Sequence, residues 1–170
     1  MNILNKIIIN FFIILMSINV TYAETIYGNA KVIDGDTIRI NKDKVRLHGI
    51  DAPEKKQICQ RNFLTVTFIT FEKNYQCGLM SMHKLEKLIE NKNIKCLIRG
   101  KDIYKRKIGT CYKNKININS WMVRNGYAVA YKKYSTKYSI FEEEAKENKL
   151  GLWQGEFEMP WEWRKNRAKN

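Results

Sequence analysis

The sequence lacks the residues that a zinc site would need. It has two histidines, His48 and His83, and no Cys-x-x-Cys pair, and neither histidine stands at ligand spacing from a cysteine. Structural zinc sites take four thiolate or imidazole ligands, usually in close sequence pairs, so zinc is disfavoured. The four cysteines are even in number and permit two disulfides in one of three connectivities. They are Cys59, Cys77, Cys96 and Cys111.

Long apolar runs and low-complexity linkers are also missing. An apolar-rich run from Ile7 to Val20 spans roughly 14 residues, fewer than the ~20 that cross a bilayer. Preceded by Lys6 and followed by small residues, it is typical of a secretory signal over residues 1–23, with an uncleaved anchor as the alternative. No internal repeat is present, so we expect residues 24–170 to form one exported domain.

Acidic residues are scarce in this chain. The sequence has 17 Asp and Glu against 31 Lys and Arg, and its formal net charge is +14. Such a surface favours polyanions, which include nucleic acid and also anionic lipid or envelope polymers. Charge alone does not choose between them.

The few acids are nevertheless concentrated in one stretch. Asp34, Asp36, Asp51 and Glu54 lie within 21 residues of one another, together with Arg46. Carboxylates gathered without thiolates or imidazoles are typical ligands of Ca²⁺ or Mg²⁺. The competing interpretation is that they are turn and cap residues, since Asp-Gly and Asp-Ala-Pro are common in turns.

The residues around these acids alternate as strands do. We predict a three-strand meander over residues 25–33, 37–40 and 45–50, which Pro53 prevents from continuing. In the third strand, alternation places Arg46 opposite the buried face, where it could face a pocket.

The segment from Glu54 to Gln76 gives conflicting signals. Its β-branched and aromatic run, Phe63 to Phe71, is compatible with strand or loop. We interpret the segment as an irregular excursion that a Cys59–Cys77 disulfide could close at its base. An amphipathic helix is then predicted between Gly78 and Asn91.

Two further strands are predicted over residues 94–98 and 107–112. Cysteines on neighbouring antiparallel strands can face each other, so a Cys96–Cys111 disulfide would join this pair.

The last third of the chain predicts two helices and a short strand. Asn119 and Ser120 can cap a short helix, and residues 127–131 read as a strand. A capping box from Ser139 to Glu142 opens a helix to Leu150, with its glutamates expected in solvent. The tryptophans and arginines of the tail either stack on bases or pack their rings on the body and leave their charges in water.

This plan is α+β: a five-stranded Greek-key barrel of the oligonucleotide-binding (OB) type, with three α-helices. The chain resembles the staphylococcal nuclease-like (thermonuclease) family over nearly all its length after the leader. Each motif that carries the resemblance is weak alone, but together they keep the family's order and the eight-residue step from Arg46 to Glu54. The motifs are Asp34 to Thr37, Arg46 to Glu54, Asp102 to Arg106, Trp121 to Ala128, and Gly151 to Trp153.

The resemblance implies a set of site residues. The Ca²⁺ ligands would be Asp36, Asp51 and the backbone carbonyl of Ala52, with Asp34 adjoining them. Glu54 would activate water, and Arg46 and Arg106 would bind the scissile phosphate. Tyr104 and Tyr131 match positions near the bound nucleotide. Lys105 stands where the founding member has glycine, so the turn before Arg106 is expected to differ in shape.

We therefore expect an exported Ca²⁺-dependent nuclease, acting as a monomer on DNA and RNA with little sequence preference. No obligate protein partner is expected, and membrane contact would come only from an uncleaved leader. A non-catalytic nucleic-acid-binding module of the same fold is the alternative, and a cationic envelope-binding protein is a third hypothesis that needs only the charge.

Overall fold

Three antiparallel strands open the described chain and form the predicted meander. The structure is a computed structural model in which residues 24–168 are described, so the expected leader over residues 1–23 lies outside them. The strands are β1 (Thr25–Asp34), β2 (Thr37–Ile40) and β3 (Asp43–Leu47). In β3, Val45 and Leu47 are fully buried and Arg46 lies on the other face, as alternation predicts.

Two later strands close the meander into a barrel. They are β7 (Asn93–Lys101), which pairs with β1, and β8 (Lys107–Lys113), which pairs with β7. The parallel pairing of β8 with β3 completes the ring, so the predicted five-stranded OB-type barrel is confirmed. Cys96 and Cys111 stand opposite each other in the β7–β8 register and form the predicted disulfide.

Helices cover the barrel and supply much of its core. The three predicted helices are present as α1 (Cys77–Ile89), α2 (Ile118–Arg124) and α3 (Ser139–Glu147). The core joins apolar side chains of the first three strands to those of the helices, among them Leu85 of α1 and Met122 of α2. Burying such side chains contributes roughly 1.5–3 kcal/mol each.

The tail folds further than predicted. Residues 24–168 contain a fourth helix, α4 (Pro160–Arg167), which follows a 3-10 helix at Gly151–Gln154. Proline suits the first turn of a helix because its missing N–H has no partner to lose there. Eight residues gave too short a periodic pattern for the helix to be predicted.

The segment after Glu54 is a β-hairpin, so the predicted irregular excursion is wrong. The hairpin pairs β5 (Cys59–Val66) with β6 (Ile69–Tyr75), and the predicted Cys59–Cys77 disulfide closes its base. Its apolar side chains are exposed on both strands. The hairpin therefore lacks the alternation of buried and exposed residues that would have predicted its strands.

Three short strands complete the fold. They are β4 (Ile50–Asp51), β9 (Ile116–Asn117) and β10 (Val129–Ala130). Only the last of these falls in the predicted strand over residues 127–131, and it pairs with β4. No helix among residues 24–168 is long and apolar enough to cross a membrane.

Two predicted caps are wrong. Asn117, not Asn119 or Ser120, caps α2 by accepting a hydrogen bond from the Ser120 N–H. Asn119 is buried, and its side chain bonds the backbones of β8 and of the turn after β3. At α3 the expected capping box is absent, because the Glu142 carboxylate turns inward and accepts from the Ala130 N–H at 2.9 Å.

Glu142 is therefore not a solvated glutamate at the start of a helix. Its side chain is 5% exposed and pairs with Lys132 at 3.1 Å and with Lys146 at 3.3 Å. A buried carboxylate needs such partners, since an unpaired charge in the interior is strongly destabilising. The residue fastens α3 to the strand that carries Ala130.

We predict that Gly78→Ala destabilises the fold by about 1–3 kcal/mol, the usual cost of overpacking. A Cβ on Gly78 would stand 1.8 Å from the Glu54 carbonyl oxygen, so α1 and the Glu54 segment would have to separate. Urea unfolding measures the change, with Lys87→Ala on the exposed side of α1 as control. Equal stability of both variants would contradict the prediction.

Candidate active site

A buried ion-pair cluster forms where β3, β4 and the β1–β2 turn meet. Arg46 donates through Nη1 to Asp36 Oδ1 at 2.9 Å and through Nη2 to Asp51 Oδ1 at 2.6 Å. The Asp51 side chain is fully buried and that of Asp36 is 6% exposed. The barrel thus brings together residues that are up to 15 positions apart in sequence.

Both carboxylate oxygens of Asp36 also accept hydrogen bonds from its neighbours in the barrel. Its Oδ2 accepts from the Ala52 N–H at 3.2 Å, and its Oδ1 accepts from the Thr37 hydroxyl at 2.9 Å. Ala52 is buried beside the cluster. These bonds fix the carboxylate plane of Asp36 before any ligand enters.

Arg106 reaches the same cluster from the turn between β7 and β8. Its Nη1 lies 3.5 Å from the Thr37 hydroxyl, and its Nε donates to Asp102 Oδ2 at 2.7 Å. Asp102 also accepts from the backbone N–H groups of Tyr104 and Arg106, so it shapes the turn and aims the guanidinium. We did not predict this role for Asp102, although it lies in the family motif from Asp102 to Arg106.

Lys105 gives that turn a left-handed residue. Its φ is 62°, a region that favours glycine and in which other residues are strained. Lysine therefore adopts here the backbone conformation that glycine adopts most easily.

A third guanidinium enters the cluster from α4. Arg164 donates through Nη2 to Asp51 Oδ2 at 2.7 Å and through Nη1 to Glu54 Oε1 at 2.8 Å. Sequence reasoning missed this residue, because both interpretations of the tail left its charges in solvent or on bases. The only signal was an arginine in a Trp-rich tail.

The two tyrosines lie at the rim of the site. Tyr104 is 73% exposed, and the Arg106 guanidinium stands over its ring at 5.5 Å. Tyr131 stacks face to face on Trp161, with ring centroids 5.3 Å apart and planes 5° from parallel. Trp161 therefore packs on the body, one of the two outcomes expected for the tail.

These side chains line one cleft of about 840 Å³. Its wall carries five cations, Lys44, Arg46, Lys101, Arg106 and Arg164. Two acids, Glu54 and Asp102, face them, so the cleft favours an anionic ligand. Tyr104 and Tyr131 add aromatic faces to the same wall.

Burial and like charge shift the acids of the cluster. Burial raises the pKa of Asp34 to about 7, helped by the charges of Asp36 and Glu54 and opposed by the Gly35 N–H. Burial also raises the pKa of Asp51, while Arg164 opposes the rise. Burial alone would lower the pKa of Arg46, but the carboxylates of Asp36 and Asp51 outweigh it and raise that pKa.

The donor set fits a hard divalent cation in its chemistry. Asp36 and Asp51 offer carboxylate oxygens, the ligands that Ca²⁺ prefers, and both lie in one cluster. Within residues 24–168, no three His, Cys, Asp or Glu side chains are arranged as a ready metal site. Guanidinium groups neutralise these acids instead.

Comparison with known proteins identifies the family. A family model described as "Staphylococcal nuclease homologue" matches residues 44–155, well over half of the chain. The chain belongs to the staphylococcal nuclease homologue family. The match begins beside Arg46 and includes Asp51, Glu54 and Arg106.

Individual proteins similar to this chain support the family assignment. A Haemophilus influenzae protein named "Uncharacterized endonuclease" is 36% identical over 148 residues, covering 82% of this chain and 73% of its own. "Succinoglycan biosynthesis protein ExoI" of Rhizobium meliloti is 33% identical over 148 residues, covering 84% and 72%. "Probable staphylococcal-like nuclease CAN3" of Oryza sativa subsp. japonica is 32% identical over 134 residues, covering 77% of this chain but 31% of the relative.

We predict that Asp34→Asn stabilises the protein more at about pH 8 than near pH 4, measured with a chelator present. The folded-state pKa is raised from 3.8 to about 7, so stability falls as pH rises between these values. Asparagine has no proton to release and avoids that loss.

Urea unfolding of wild type and variant at both pH values measures the effect. The control is Glu86→Gln, which also removes one negative charge but at an exposed position on α1. An equal stability difference at both pH values would show that Asp34 titrates normally.

Proposed function

We propose that the protein is an exported, Ca²⁺-dependent nuclease that hydrolyses phosphodiester bonds of DNA and RNA with little sequence preference. One observation carries the proposal: Arg46, Arg106 and Glu54 line a single cation-rich cleft beside the buried Asp36 and Asp51. Family membership and the endonuclease names of relatives support the coarser assignment, a nuclease-type hydrolase.

The two arginines of the barrel suit the scissile phosphate. A planar guanidinium can donate two parallel hydrogen bonds to phosphate oxygens and stays charged at neutral pH. Charge develops on those oxygens as the bond breaks, and fixed donors aimed at it lower the barrier. Arg106 is prealigned by Asp102, while Arg46 would exchange part of its bonding with Asp36 and Asp51 for the phosphate.

Glu54 is the candidate general base. Its side chain is 30% exposed at the edge of the cleft, and one of its oxygens is held by Arg164. The other oxygen would accept a proton from the attacking water, which must come within hydrogen-bond distance.

Asp36, Asp51 and the Ala52 carbonyl would hold the Ca²⁺ ion. A bound cation of this kind neutralises developing negative charge on the phosphate and orients water. The protein's part is to present these oxygens on strand ends that the barrel keeps fixed, with Asp34 adjoining them.

Broad substrate acceptance follows from the chemistry of the lining. Tyrosine faces stack on any base, and cations bind the phosphates that all nucleic acids share. We therefore expect single-stranded and unpaired regions of both DNA and RNA to serve as substrates.

Export is supported by the leader pattern and by both disulfides. Disulfides persist in oxidising compartments and are rare in reducing ones. We expect a monomer that acts without an obligate protein partner.

We predict that Glu54→Gln lowers the cleavage rate by about 10²–10⁴-fold, the usual contribution of a general base. Disulfide-intact protein is incubated with single-stranded DNA, double-stranded DNA and RNA, with Ca²⁺ or a chelator, and products are resolved on gels. Cleavage by wild type should require Ca²⁺. Glu86→Gln, a charge-matched exposed change, should leave the rate unchanged.

Binding without cleavage under every condition would overturn the proposal and favour a non-catalytic nucleic-acid-binding module. Full activity of Glu54→Gln would remove its role as base. If binding and activity both persist in the chelator, the proposed calcium requirement is wrong.

A further inference from the structure

The helix that carries Arg164 lies outside the family match. That match ends at residue 155, and α4 begins at Pro160. Yet Arg164 makes two of the shortest ion pairs in the cleft, to Asp51 and Glu54, across 113 and 110 residues of sequence. The site of this chain is thus completed by a segment that the family match does not include.

The tail is fastened to the Glu54 segment at a second point. Buried Gln57 accepts from the Glu54 N–H at 3.3 Å and donates through Nε2 to the Glu158 carbonyl at 2.6 Å. The stack of Trp161 on Tyr131 seats α4 against the opposite wall of the cleft. The position of Arg164 relative to Glu54 is therefore set by contacts on both sides.

Glu54 needs such a restraint because other carboxylates lie near it. Asp34 interacts with it and Asp51 binds the same guanidinium, so like charges would drive an unpaired Glu54 carboxylate outward. The Arg164 guanidinium binds Oε1 of Glu54 and leaves Oε2 without a bond to this arginine. It also holds Oδ2 of Asp51, while Arg46 holds Oδ1.

We propose that Arg164 is a positioning residue of the reaction, which holds Glu54 in its working orientation and fixes it relative to Asp51. The inference rests on the proposed function, since it acts through the base. Arginine is required because one planar fork must serve two carboxylates at once, which a lysine ammonium on a flexible stem does less well.

We predict that Arg164→Ala lowers kcat by about 10–100-fold and changes KM by less than about threefold, because misplacing a base by about 1 Å costs on this scale. Arg164→Lys should recover part of kcat. The matched control is Arg167→Ala, which removes another arginine from the same helix. The Arg167 guanidinium lies over the Trp163 ring at 4.3 Å. Thermal unfolding of all variants shows whether α4 stays docked.

A double-mutant cycle separates this inference from the proposed function. In the Glu54→Gln background, Arg164→Ala should lower kcat by less than about threefold further, because both residues act in one step. If Glu54→Gln alone has no effect, the proposed function fails. If Glu54→Gln is inactive while Arg164→Ala keeps wild-type kcat, the positioning role fails; a higher kcat would make α4 an inhibitory cap and also overturn the role.

A second observation concerns the β5–β6 hairpin. Six apolar side chains on it are more than half exposed, and Phe68 at the tip is 96% exposed. They are Phe63, Leu64, Val66, Phe68, Ile69 and Phe71. An exposed apolar patch of this kind marks an interaction surface, because monomeric proteins rarely leave one uncovered.

The charges of the hairpin are segregated from its apolar tip. Residues 62–71 contain no charged residue, and the first cations, Arg61 and Lys73, stand opposite each other in the strand register. Both lie near aromatic rings: Arg61 over Tyr75 at 5.6 Å and Lys73 over Phe63 at 5.8 Å. The arrangement is an apolar tip above a collar of aromatic rings, two cations and one acid, Glu72.

We infer that the hairpin docks on an anionic phospholipid surface, with its tip in the acyl region and its collar at the headgroups. Aromatic and basic residues favour that boundary. A second copy of the chain is disfavoured, because two molecules of net charge +14 repel. Nucleic acid is disfavoured because residues 62–71 hold no cation to bind its phosphates, and the aliphatic Leu64, Val66 and Ile69 offer no stacking face.

We predict that amide hydrogen exchange over residues 62–71 slows when vesicles containing phosphatidylglycerol are added, and does not slow with phosphatidylcholine alone. The segment-specific readout is independent of any binding by the N-terminal region. Joint Phe68→Ser and Phe71→Ser changes should weaken hairpin protection about tenfold, given the apolar area removed. Ile140→Ser, an exposed change on α3, is the control.

Protection in both kinds of vesicle would remove the requirement for anionic lipid and overturn the inference. So would protection that appears only with nucleic acid, or that grows with protein concentration when no vesicles are present. An unchanged exchange rate in every case would leave the hairpin without a lipid-binding role.

Discussion

Arg46 forms one ion pair with Asp36 and one with Asp51, and the site depends on these two contacts. Asp51 is fully buried, and a buried carboxylate without a partner is strongly destabilising, so the strands that carry these residues must close around one another. The parallel pairing of β3 with β8 provides that closure, and it brings Arg106 to the same edge. Fold and chemistry are therefore joined through one guanidinium, whose loss would leave two acids facing each other in the interior.

Glu54 lies where the barrel, the hairpin and the tail of the chain meet. On one side, Gly78 lets α1 approach its backbone at a distance that no side chain would allow, and the Cys59–Cys77 bridge closes the hairpin beside it. On the other side, Gln57 and Arg164 tie it to the tail. A residue held from so many directions loses conformational freedom, which is what a base in a fixed geometry requires.

Much of the site could be predicted because its signals are local. Alternation in β3 aimed Arg46 at the cleft, and the spacing of Asp36, Asp51 and Glu54 revealed the acid cluster. The hairpin was missed because its apolar residues are exposed on both strands, so the pattern did not indicate one buried face. Glu142 was misread for the converse reason: a glutamate in a first turn is usually solvated, and only its partners Lys132 and Lys146 explain its burial.

The sequence by itself determined the barrel and the acids and arginines of the central motifs, because strand period and short-range spacing are written in neighbouring residues. The structure selected one of the three cysteine connectivities that the sequence allowed. Only the tertiary structure decided that Arg164 joins Asp51 and Glu54, and that Trp161 lies on Tyr131. Contacts across 30 or more residues leave no period in the chain. They arise when packing brings a helix end to a cleft, and the electrostatics of buried charge then selects the partner.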